Sequence, residues 1–408
     1  NMTLQNYLKE KWNDESINYT PAYFFDAGIF TDRIIQVKNA LGNNIPLTYS
    51  IKANPFLLNC IPEQIAHVEV CSPGELTICQ RMNIPADRII YSGVMKEKTD
   101  IARALNYGVG IFTAESLRHL EMENELAMGM DKQKVILRLT SGNQFGMSPE
   151  DIKSIIANKE KYNNMDIYGI HYYSGTQKKK TKQIEKDIAN LTKLLESLNE
   201  EFDYQPSLVE YGPGFAVDYF SDNYDEEDSK MLEDGAKLIK DFAAKYPVGI
   251  EMGRFLAAPC GTFVTQVKDL KYSSETNYVI CDGGIHHLKY YGQTMAMQIP
   301  PIWVNSKTEF TGLKKDYCIC GSLCTVADVL VREVNLDELR IGDYIGFGRC
   351  GAYSVTEGSL LFLSRTMPEI YVYSHKDGCK KLRKFINSDI LNVSDYVNEN
   401  DAEVLPWN

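Results

Sequence analysis

The amino-acid sequence predicts an α/β protein with a (β/α)8 barrel, residues 24–254, and a C-terminal antiparallel β domain, residues 255–408. The first observation behind this prediction is a regular alternation of strand-like runs and helical segments up to Gly253, with eight such runs. The second is a change after Gly253 to short runs of alternating polarity between turn residues. Consecutive βα units form parallel strands with right-handed connections, and eight of them close a barrel. Residues 2–23 are expected to pack on the β domain.

The barrel strands are predicted where short apolar runs end at polar or glycine residues. Residues 47–52 alternate apolar and polar side chains, which predicts a strand with one polar face and Lys52 at its carboxyl end. Segments of helical periodicity, such as 184–198 and 228–244, supply seven helical crossovers between the eight strands. The other predicted strands are 67–71, 88–92, 109–113, 134–140, 167–173, 207–211 and 247–251.

The second half of the chain has the pattern of a β domain. Asp377-Gly378 separates two alternating runs, which predicts a hairpin turn at this point. Short helices are expected from Leu4 to Trp12 and at 388–397. The predicted strands are 262–267, 277–281, 317–320, 344–348 and 370–373.

Composition limits the possible functions and compartments. With 44% hydrophobic and 24% charged residues, the 408-residue chain has an ordinary globular composition. Its formal net charge of -12 disfavours nucleic acid and anionic membranes as partners. No apolar run approaches the ~20 residues that span a bilayer, and no signal peptide is expected. The ten cysteines are scattered, which favours a reducing cytoplasm. Only Cys318, Cys320 and Cys324 cluster, and no second pair completes a tetrahedral set, so no metal is predicted.

Chemically useful residues fall at the carboxyl ends of the predicted barrel strands, where such barrels bind ligands. Lys52 is either an ordinary solvated lysine or a desolvated amine that forms a Schiff base. The Gly-Pro-Gly turn at 212–214 could hold a phosphate, and Arg254 could clamp it, although glycines are common at such turns. Glu251 is either a surface carboxylate or an acid at the barrel mouth. Together these groups match pyridoxal phosphate (PLP), which needs an amine, a phosphate site and an acid for its pyridine nitrogen.

Six motifs along nearly the whole chain resemble those of fold-type III PLP-dependent amino acid decarboxylases, the group of diaminopimelate and ornithine decarboxylases. The resemblance implies a TIM barrel of the alanine racemase-like type with the β domain behind it. The motifs are Tyr49-Ser-Ile-Lys52-Ala-Asn, Ser72-Pro-Gly-Glu75-Leu, Gly169-Ile-His171-Tyr-Tyr-Ser-Gly-Thr-Gln177, Glu251-Met-Gly-Arg254, Gly321-Ser-Leu-Cys324-Thr-Val-Ala-Asp328 and Gly351-Ala-Tyr353.

The same resemblance implies a role for each motif. Lys52 would carry PLP, Glu251 would pair with the pyridine nitrogen, and Cys324 would return a proton after carbon dioxide leaves. Cys324 would come from the second subunit of a homodimer with shared active sites. Together with Lys52 and Glu251, the expected cofactor contacts are Glu69, Arg138, His171, Tyr173, Thr176, Gly212, Gly214, Arg254 and Tyr353. The expected substrate contacts are Cys324, Thr325 and Asp328.

Two departures from the family pattern bear on the chemistry and the substrate. Tyr173 stands where the family has its ring-stacking histidine, and His171 occupies the neighbouring aromatic position of the motif. Thr325 stands where diaminopimelate and ornithine decarboxylases place an acid for the distal ammonium of the substrate, and a buried ammonium without a carboxylate is costly. With Gln144, this resembles the branch that acts on carrier-protein-bound aminoacyl groups, such as the glutamyl-carrier decarboxylase of butirosin biosynthesis.

Several other functions remain open at this point. A diaminopimelate or ornithine/lysine decarboxylase would share the motifs and use another acid for the ammonium. A racemase would share the barrel and Lys52 but would need a second base, usually a tyrosine. A non-catalytic relative would be expected to lose Lys52 or Cys324, and both are present.

Overall fold

The computed structural model describes residues 2–12, 14, 17 and 20–393, so residues 394–397 of the predicted C-terminal helix lie outside the described part. The chain forms two compact units. The barrel unit comprises residues 33–217 and 225–256, and the described part of the sheet unit lies within residues 2–32, 218–224 and 257–393. Among the described helices, none is both long and apolar enough to cross a membrane.

The strands and α-helices follow one another along the chain with short 3-10 turns between them. In chain order the strands are β1 (Ala22–Asp26), β2 (Leu47–Ser50), β3 (His67–Val70), β4 (Ile89–Tyr91), β5 (Ile111–Ala114), β6 (Gln133–Arg138), β7 (Met165–Tyr173), β8 (Leu208–Gly212), β9 (Val248–Met252), β10 (Gly261–Ser273), β11 (Thr276–Cys281), β12 (Ile302–Asn305), β13 (Lys314–Cys320), β14 (Val329–Asp337), β15 (Tyr344–Phe347), β16 (Glu369–Ser374) and β17 (Gly378–Arg383). The helices are α1 (Leu4–Glu10), α2 (Ala27–Leu41), α3 (Pro73–Arg81), α4 (Lys98–Tyr107), α5 (Leu117–Leu126), α6 (Pro149–Ala157), α7 (Thr181–Phe202), α8 (Tyr224–Ala243) and α9 (Arg254–Ala257).

The barrel unit is a closed barrel of eight parallel strands, β2 to β9, which confirms the predicted fold class. Its first strand differs from the prediction in two respects. Both faces of β2 are buried, including Thr48 and Ser50, because one face of a barrel strand points into the barrel interior. The strand ends at Ser50, so Lys52 lies in the 3-10 turn Ile51–Ala53 that follows.

The first crossover is a 3-10 helix, Pro55–Cys60, where the sequence predicts a seventh α-helical segment. The Asn54 side chain accepts a hydrogen bond from the backbone N–H of Phe56 at 3.0 Å, and Pro55 opens the helix. The Tyr49 hydroxyl donates to the Asn54 carbonyl at 2.6 Å. These local contacts fix the tight turn that carries Lys52.

The sheet unit is one nine-stranded sheet whose main path runs β14-β13-β11-β10-β1-β16-β17, with β12 and β15 paired beside it. Most pairs are antiparallel, as predicted, but β1 runs parallel to β16 and β11 runs parallel to β13. The predicted hairpin turn at Asp377-Gly378 joins β16 to β17, and Gly378 takes the left-handed φ of +74°. The sequence does not predict β1, β12 or β14. Charged Arg332 and Glu333 break the alternation of β14, whose pairing with β13 has two register shifts.

The barrel unit also encloses an unpaired acid on α5. Glu123 is fully buried, and neither carboxylate oxygen has a hydrogen-bond partner in the described chain. Burial raises the pKa of Glu123 to about 8, although the charge of Lys96 partly offsets this rise. Lys96 itself donates to the carbonyls of Gly93 at 2.7 Å and Thr113 at 2.8 Å.

Replacing Glu123 with glutamine is therefore expected to stabilise the protein at alkaline pH. The folded state keeps the Glu123 proton up to about pH 8, whereas the unfolded chain releases it near pH 4.5, so wild-type stability falls as the pH rises between these values. At pH 9 the Glu123→Gln variant should be more stable by about 3 kcal/mol, the order of an uncompensated buried charge. Urea unfolding at pH 4 and pH 9 measures the difference, and an equal gain at both values would contradict it.

Candidate active site

Three buried side chains from different strands meet inside the barrel. Glu69 lies on β3, His171 on β7 and Glu251 on β9, with exposed fractions of 3%, 2% and 8%. Because the carboxyl ends of parallel barrel strands lie at one face, residues distant in sequence come together there. One ligand atom of each side chain lies within 4.8 Å of the other two. The sequence analysis named all three residues, and this grouping would also suit a metal ion.

The side chains of His171 and Glu251 are within hydrogen-bond distance of each other. The Nε2 atom of His171 lies 2.8 Å from Oε1 of Glu251. Burial, assisted by the charge of Arg138, lowers the pKa of His171 to about 3, so the imidazole is neutral at pH 7. A neutral ring with its proton on Nε2 donates that proton to Glu251.

Glu69 is an acid whose pKa is shifted far above its ordinary value. Burial raises the pKa of Glu69 to about 7, the neighbouring Glu251 adds to the rise, and Lys52 and His171 oppose it. The Cys71 thiol donates to Oε1 of Glu69 at 3.3 Å. The cluster therefore holds one acid that exchanges a proton near pH 7, beside Glu251.

Buried polar atoms without partners indicate that this cluster accepts a bound group. Oε2 of Glu251 and Nδ1 of His171 have no hydrogen-bond partner in the described chain. A protonated pyridine nitrogen would donate to Glu251 and satisfy one of these atoms. Gly212 lets Tyr173 and Glu251 approach the backbone of β8 closely, because a Cβ there would lie 2.8 Å from Cδ2 of Tyr173 and 3.1 Å from Oε1 of Glu251. The residues present fit the pyridine ring of PLP.

A second set of groups at the same end of the barrel fits a phosphate. Gly214 has a φ of +60°, and a Cβ there would lie 1.9 Å from the carbonyl oxygen of Gly175, so only glycine fits. The Lys178 backbone N–H donates to the Gly214 carbonyl at 2.9 Å. Arg254 Nε donates to the Thr176 hydroxyl at 3.2 Å. These contacts hold three residues close together, as an anion-binding site requires: Thr176, Gly214 and Arg254.

Lys52 faces the ring of Tyr173. Its side chain is exposed, and Nζ lies 5.7 Å from the centroid of the Tyr173 ring. Burial raises the pKa of Tyr173, and the positive charge of Lys52 partly offsets this rise. An amine beside an aromatic face is the arrangement that a covalently held aromatic aldehyde needs.

Arg138 is held by a residue that the sequence analysis missed. Its Nη1 donates to Oε1 of Glu115 at 2.6 Å, and its guanidinium lies 4.8 Å from the centroid of the Phe145 ring. Arg138 pairs in register with His171 across β6 and β7. Its charge keeps the pKa of His171 low, and its contact with PLP stays a prediction.

Glu210 on β8 is the second residue that the sequence analysis missed. It is 1% exposed, and its Oε1 has no hydrogen-bond partner in the described chain. Burial and the charge of Glu251 raise the pKa of Glu210 well above its usual value. A Cβ on Gly249 would lie 2.4 Å from Oε2 of Glu210, so the acid depends on that glycine. A glutamate between Val209 and Tyr211 in a barrel strand is the signal that could have identified it.

The residues predicted to contact substrate lie in the sheet unit. Cys324 and Thr325 are exposed on the loop between β13 and β14. Asp328, 3% exposed, accepts hydrogen bonds from the backbone N–H groups of Ile285 at 2.6 Å and Leu323 at 2.7 Å, so it shapes this loop. Tyr353, also in this unit, is half-buried with a φ of +68°. Thr325 lines a cleft of about 820 Å³.

Comparisons with known proteins identify the family. Residues 28–258, more than half of the chain, match the family model "Pyridoxal-dependent decarboxylase, pyridoxal binding domain". The chain is 27% identical over 375 residues to the L-glutamyl-[BtrI acyl-carrier protein] decarboxylase of Niallia circulans, covering 86% of this chain and 87% of the relative. It is 25% identical over 394 residues to the diaminopimelate decarboxylase of Aquifex aeolicus, covering 91% and 90%.

A crystal structure of the diaminopimelate decarboxylase of M. jannaschii has the same fold. The TM-score is 0.81 at 21% identity, and the match covers 96% of this chain and 95% of that one. The Glu69, His171 and Glu251 cluster lies within the residues that match the pyridoxal-binding domain. The chain belongs to the pyridoxal-dependent decarboxylase family, and it is an amino acid decarboxylase that uses PLP.

Proposed function

We propose that this enzyme removes the α-carboxylate of an aminoacyl substrate whose distal end carries no positive charge, such as a glutamyl group on a carrier protein. The observation that carries the proposal is the charge of the cleft beside Thr325. Its charged lining residues are Lys289, Arg332 and Glu357, two cations and one anion. A distal ammonium would meet net repulsion there, whereas an amide, a thioester or an anionic group would not. The relative from Niallia circulans acts on a carrier-bound glutamyl group.

The proposed catalytic roles follow from the contacts in the barrel unit. Bound PLP supplies the electron sink that accepts the electron pair left when carbon dioxide departs. Lys52 would hold the cofactor covalently, and Thr176, Gly214 and Arg254 would bind its phosphate. Glu251 would act as a carboxylate opposite the pyridine nitrogen, and a His171 ring with its proton on Nε2 would donate to it across their 2.8 Å contact.

The remaining proposed roles complete the site around the ring. Tyr173 would cover one face of the ring, and Tyr353 would add to the phosphate site. Glu69 and Arg138 would surround the ring position, and Gly212 would leave room for it. In this proposal residues 24–254 form the cofactor domain and residues 255–408 the β domain.

We further propose that the enzyme is a cytoplasmic homodimer in which the partner's Cys324 returns a proton from its Sγ to the substrate carbon. Exposed apolar side chains around the Cys324 loop support this proposal. Val326 is 100% exposed, and Leu361, Phe362 and Leu363 are each more than 40% exposed. Apolar surface of this kind is usually covered by another protein.

Mixing two inactive variants tests the shared site. Lys52→Ala and Cys324→Ala homodimers should each be inactive, whereas a random mixture should recover up to about a quarter of wild-type activity. The reason is that half of the subunits pair with the other variant, and each mixed dimer has one intact site under C2 symmetry. Subunit exchange is verified with differently tagged chains, and exchange without recovered activity would contradict the shared site.

Carbon dioxide release from a small set of substrates tests the proposed function. The set is a glutamyl group on an acyl-carrier protein, a glutamyl thioester of pantetheine, and free diaminopimelate, ornithine and lysine. We expect release from the glutamyl compounds. A second candidate function is decarboxylation of a free diamino acid. The observation that supports it is Glu357, which lines the cleft and could receive an ammonium. Efficient turnover of a free diamino acid alone would replace the first proposal with the second.

A further inference from the structure

The segment after β7 is strongly basic in an acidic protein. Residues 178–186 contain five lysines and one glutamate, whereas the whole chain has a formal net charge of -12. Lys178 is buried and pairs with Asp187 at 2.5 Å. The other lysines of this segment are exposed. An internal ion pair therefore accounts for only one of the five.

The exposed lysines continue as a line along α7. Ile184, Leu191 and Leu198 are buried and share the opposite face of this helix. Lys182, Lys186 and Lys193 are spaced by four and seven residues, which places them on one exposed face over about 16 Å. We call Lys179, Lys180, Lys182, Lys186 and Lys193 the lysine stripe.

No member of the lysine stripe has a side-chain ion pair in the described part of the chain. Exposed Glu185 and Glu196 each follow a stripe lysine by three residues, and exposed Glu200 follows Lys193 by seven, but none of these acids forms an ion pair with the stripe within the described residues. Five exposed lysines beside three acids leave an excess of positive charge, which an acidic surface would relieve. Nucleic acid is a poor candidate because the whole chain is acidic.

The lysine stripe begins at the mouth of the barrel. Arg254 Nε contacts the Thr176 hydroxyl at 3.2 Å, and Lys179 follows Thr176 by three residues. Between them, the Lys178 backbone pairs with the 214–216 loop, through N–H to Gly214 at 2.9 Å and carbonyl to Ala216 at 3.1 Å. These bonds fix the first lysines next to the proposed phosphate site.

The far end of the stripe reaches a polar recess. A cleft of about 380 Å³ lies between α6 and α7, and Lys193 lines it together with Asn190 and Ser197. Thr140 and Ser141, just beyond β6, line its other side. A partner that lies along α7 would therefore extend from a recess with hydrogen-bonding walls to the barrel mouth.

We propose that the lysine stripe is the docking surface for an acidic carrier protein that presents the aminoacyl group to the barrel mouth. The inference rests on the proposed function, because it takes the substrate to be carrier-bound. A row of carboxylates on the carrier would pair with the lysines, and such rim charges mainly accelerate association and orient the partner. The thioester would then reach the cofactor end of the barrel. The carrier itself would need no specific pocket, because the lysine stripe would hold it.

Charge reversal on two helices tests the docking surface. One variant carries Lys182→Glu, Lys186→Glu and Lys193→Glu on α7. Its matched control carries the same number of reversals at exposed lysines of α8, which are Lys230, Lys237 and Lys240. Both variants change the net charge by six units, since each reversal changes it by two. The KM is measured with glutamylated acyl-carrier protein and with glutamyl-pantetheine thioester.

The stripe variant is expected to raise the KM for the glutamylated carrier by about tenfold, since each exposed ion pair is worth about 1.5- to 5-fold in affinity. Its KM for the small thioester should stay within about twofold of wild type, and the α8 control should match wild type with both. An equal KM for the carrier in the stripe and control variants would overturn the docking surface while leaving the proposed function intact.

A direct binding titration separates failure of the docking surface from failure of the proposed function. If wild type decarboxylates neither thioester, the proposed substrate is wrong. The titration measures binding of the glutamylated carrier to each variant at low salt. If wild type and the α8 control bind the carrier and the stripe variant does not, the docking surface is still supported. Absence of binding to wild type would overturn it.

Discussion

Replacing Lys52 with alanine is expected to remove the covalent link between protein and cofactor and to lower kcat/KM by about a thousandfold or more. Wild-type protein should be yellow, with absorbance near roughly 420 nm from the protein-bound cofactor. Lys52 is the amine in the turn after β2, and its Nζ lies 5.7 Å from the Tyr173 ring centroid. Borohydride reduction followed by peptide mass analysis should find the cofactor on Lys52 in wild type and no reduced adduct in the variant.

Lys52→Arg is the matched control for the charge of this lysine. It keeps a cation that opposes the raised pKa of Glu69, but it offers no amine that can form the link. Both variants should therefore lack the reducible adduct, and only Lys52→Ala should also disturb the protonation of Glu69. A reduced adduct in Lys52→Ala that maps to another lysine, such as buried Lys96, would contradict the assignment.

The residues of the candidate site could be predicted where strand topology alone brings them together. Glu69, His171 and Glu251 end three barrel strands, and parallel strands in a closed barrel must end at one face. Their motifs were therefore sufficient to group them. The position of Lys52 was less predictable, because the period-2 pattern continues past Ser50 while the chain already turns at Ile51.

Residues defined by packing could not be predicted in the same way. The pKa of Glu210 is raised because this carboxyl is buried next to Glu251, and its position depends on the lack of a side chain at Gly249. Glu115 matters only because Arg138 of the neighbouring strand reaches it at 2.6 Å. Both depend on the register of adjacent strands, and no local pattern in the sequence specifies that register.

The sheet unit illustrates the same limit on a larger scale. β1 pairs in parallel with β16, with Phe24 opposite Tyr371, although these strands are more than 340 residues apart in sequence. Their rings stack with centroids 4.9 Å apart, and both are buried. A short apolar run such as β1 has no neighbour in sequence that indicates its partner. Hairpins such as β16–β17 are predictable because the turn residues themselves join the two strands.

Replacing Thr325 with glutamate is expected to shift substrate preference toward diamino acids. Thr325 is exposed on the cleft whose charged lining residues are Lys289, Arg332 and Glu357. In wild type, a desolvated distal ammonium would lack a dedicated carboxylate, at a cost of about 2–5 kcal/mol. This corresponds to roughly 30-fold to several-thousand-fold in specificity, since 1.36 kcal/mol is tenfold. Thr325→Glu should raise kcat/KM for ornithine or diaminopimelate by at least about 30-fold. The same change should weaken turnover of the glutamyl thioester.

Two control variants separate the charge at position 325 from its size and from the competing acid. Thr325→Gln adds nearly the same volume without charge, so it should leave the preference unchanged. Glu357→Gln removes the one acid among the charged residues that line the cleft. Wild-type kcat/KM for ornithine or diaminopimelate at or above about 10⁴ M⁻¹s⁻¹ would contradict the role of Thr325. If Glu357→Gln then abolished that activity, Glu357 would be the residue that receives the ammonium, because it would supply the carboxylate that Thr325 lacks.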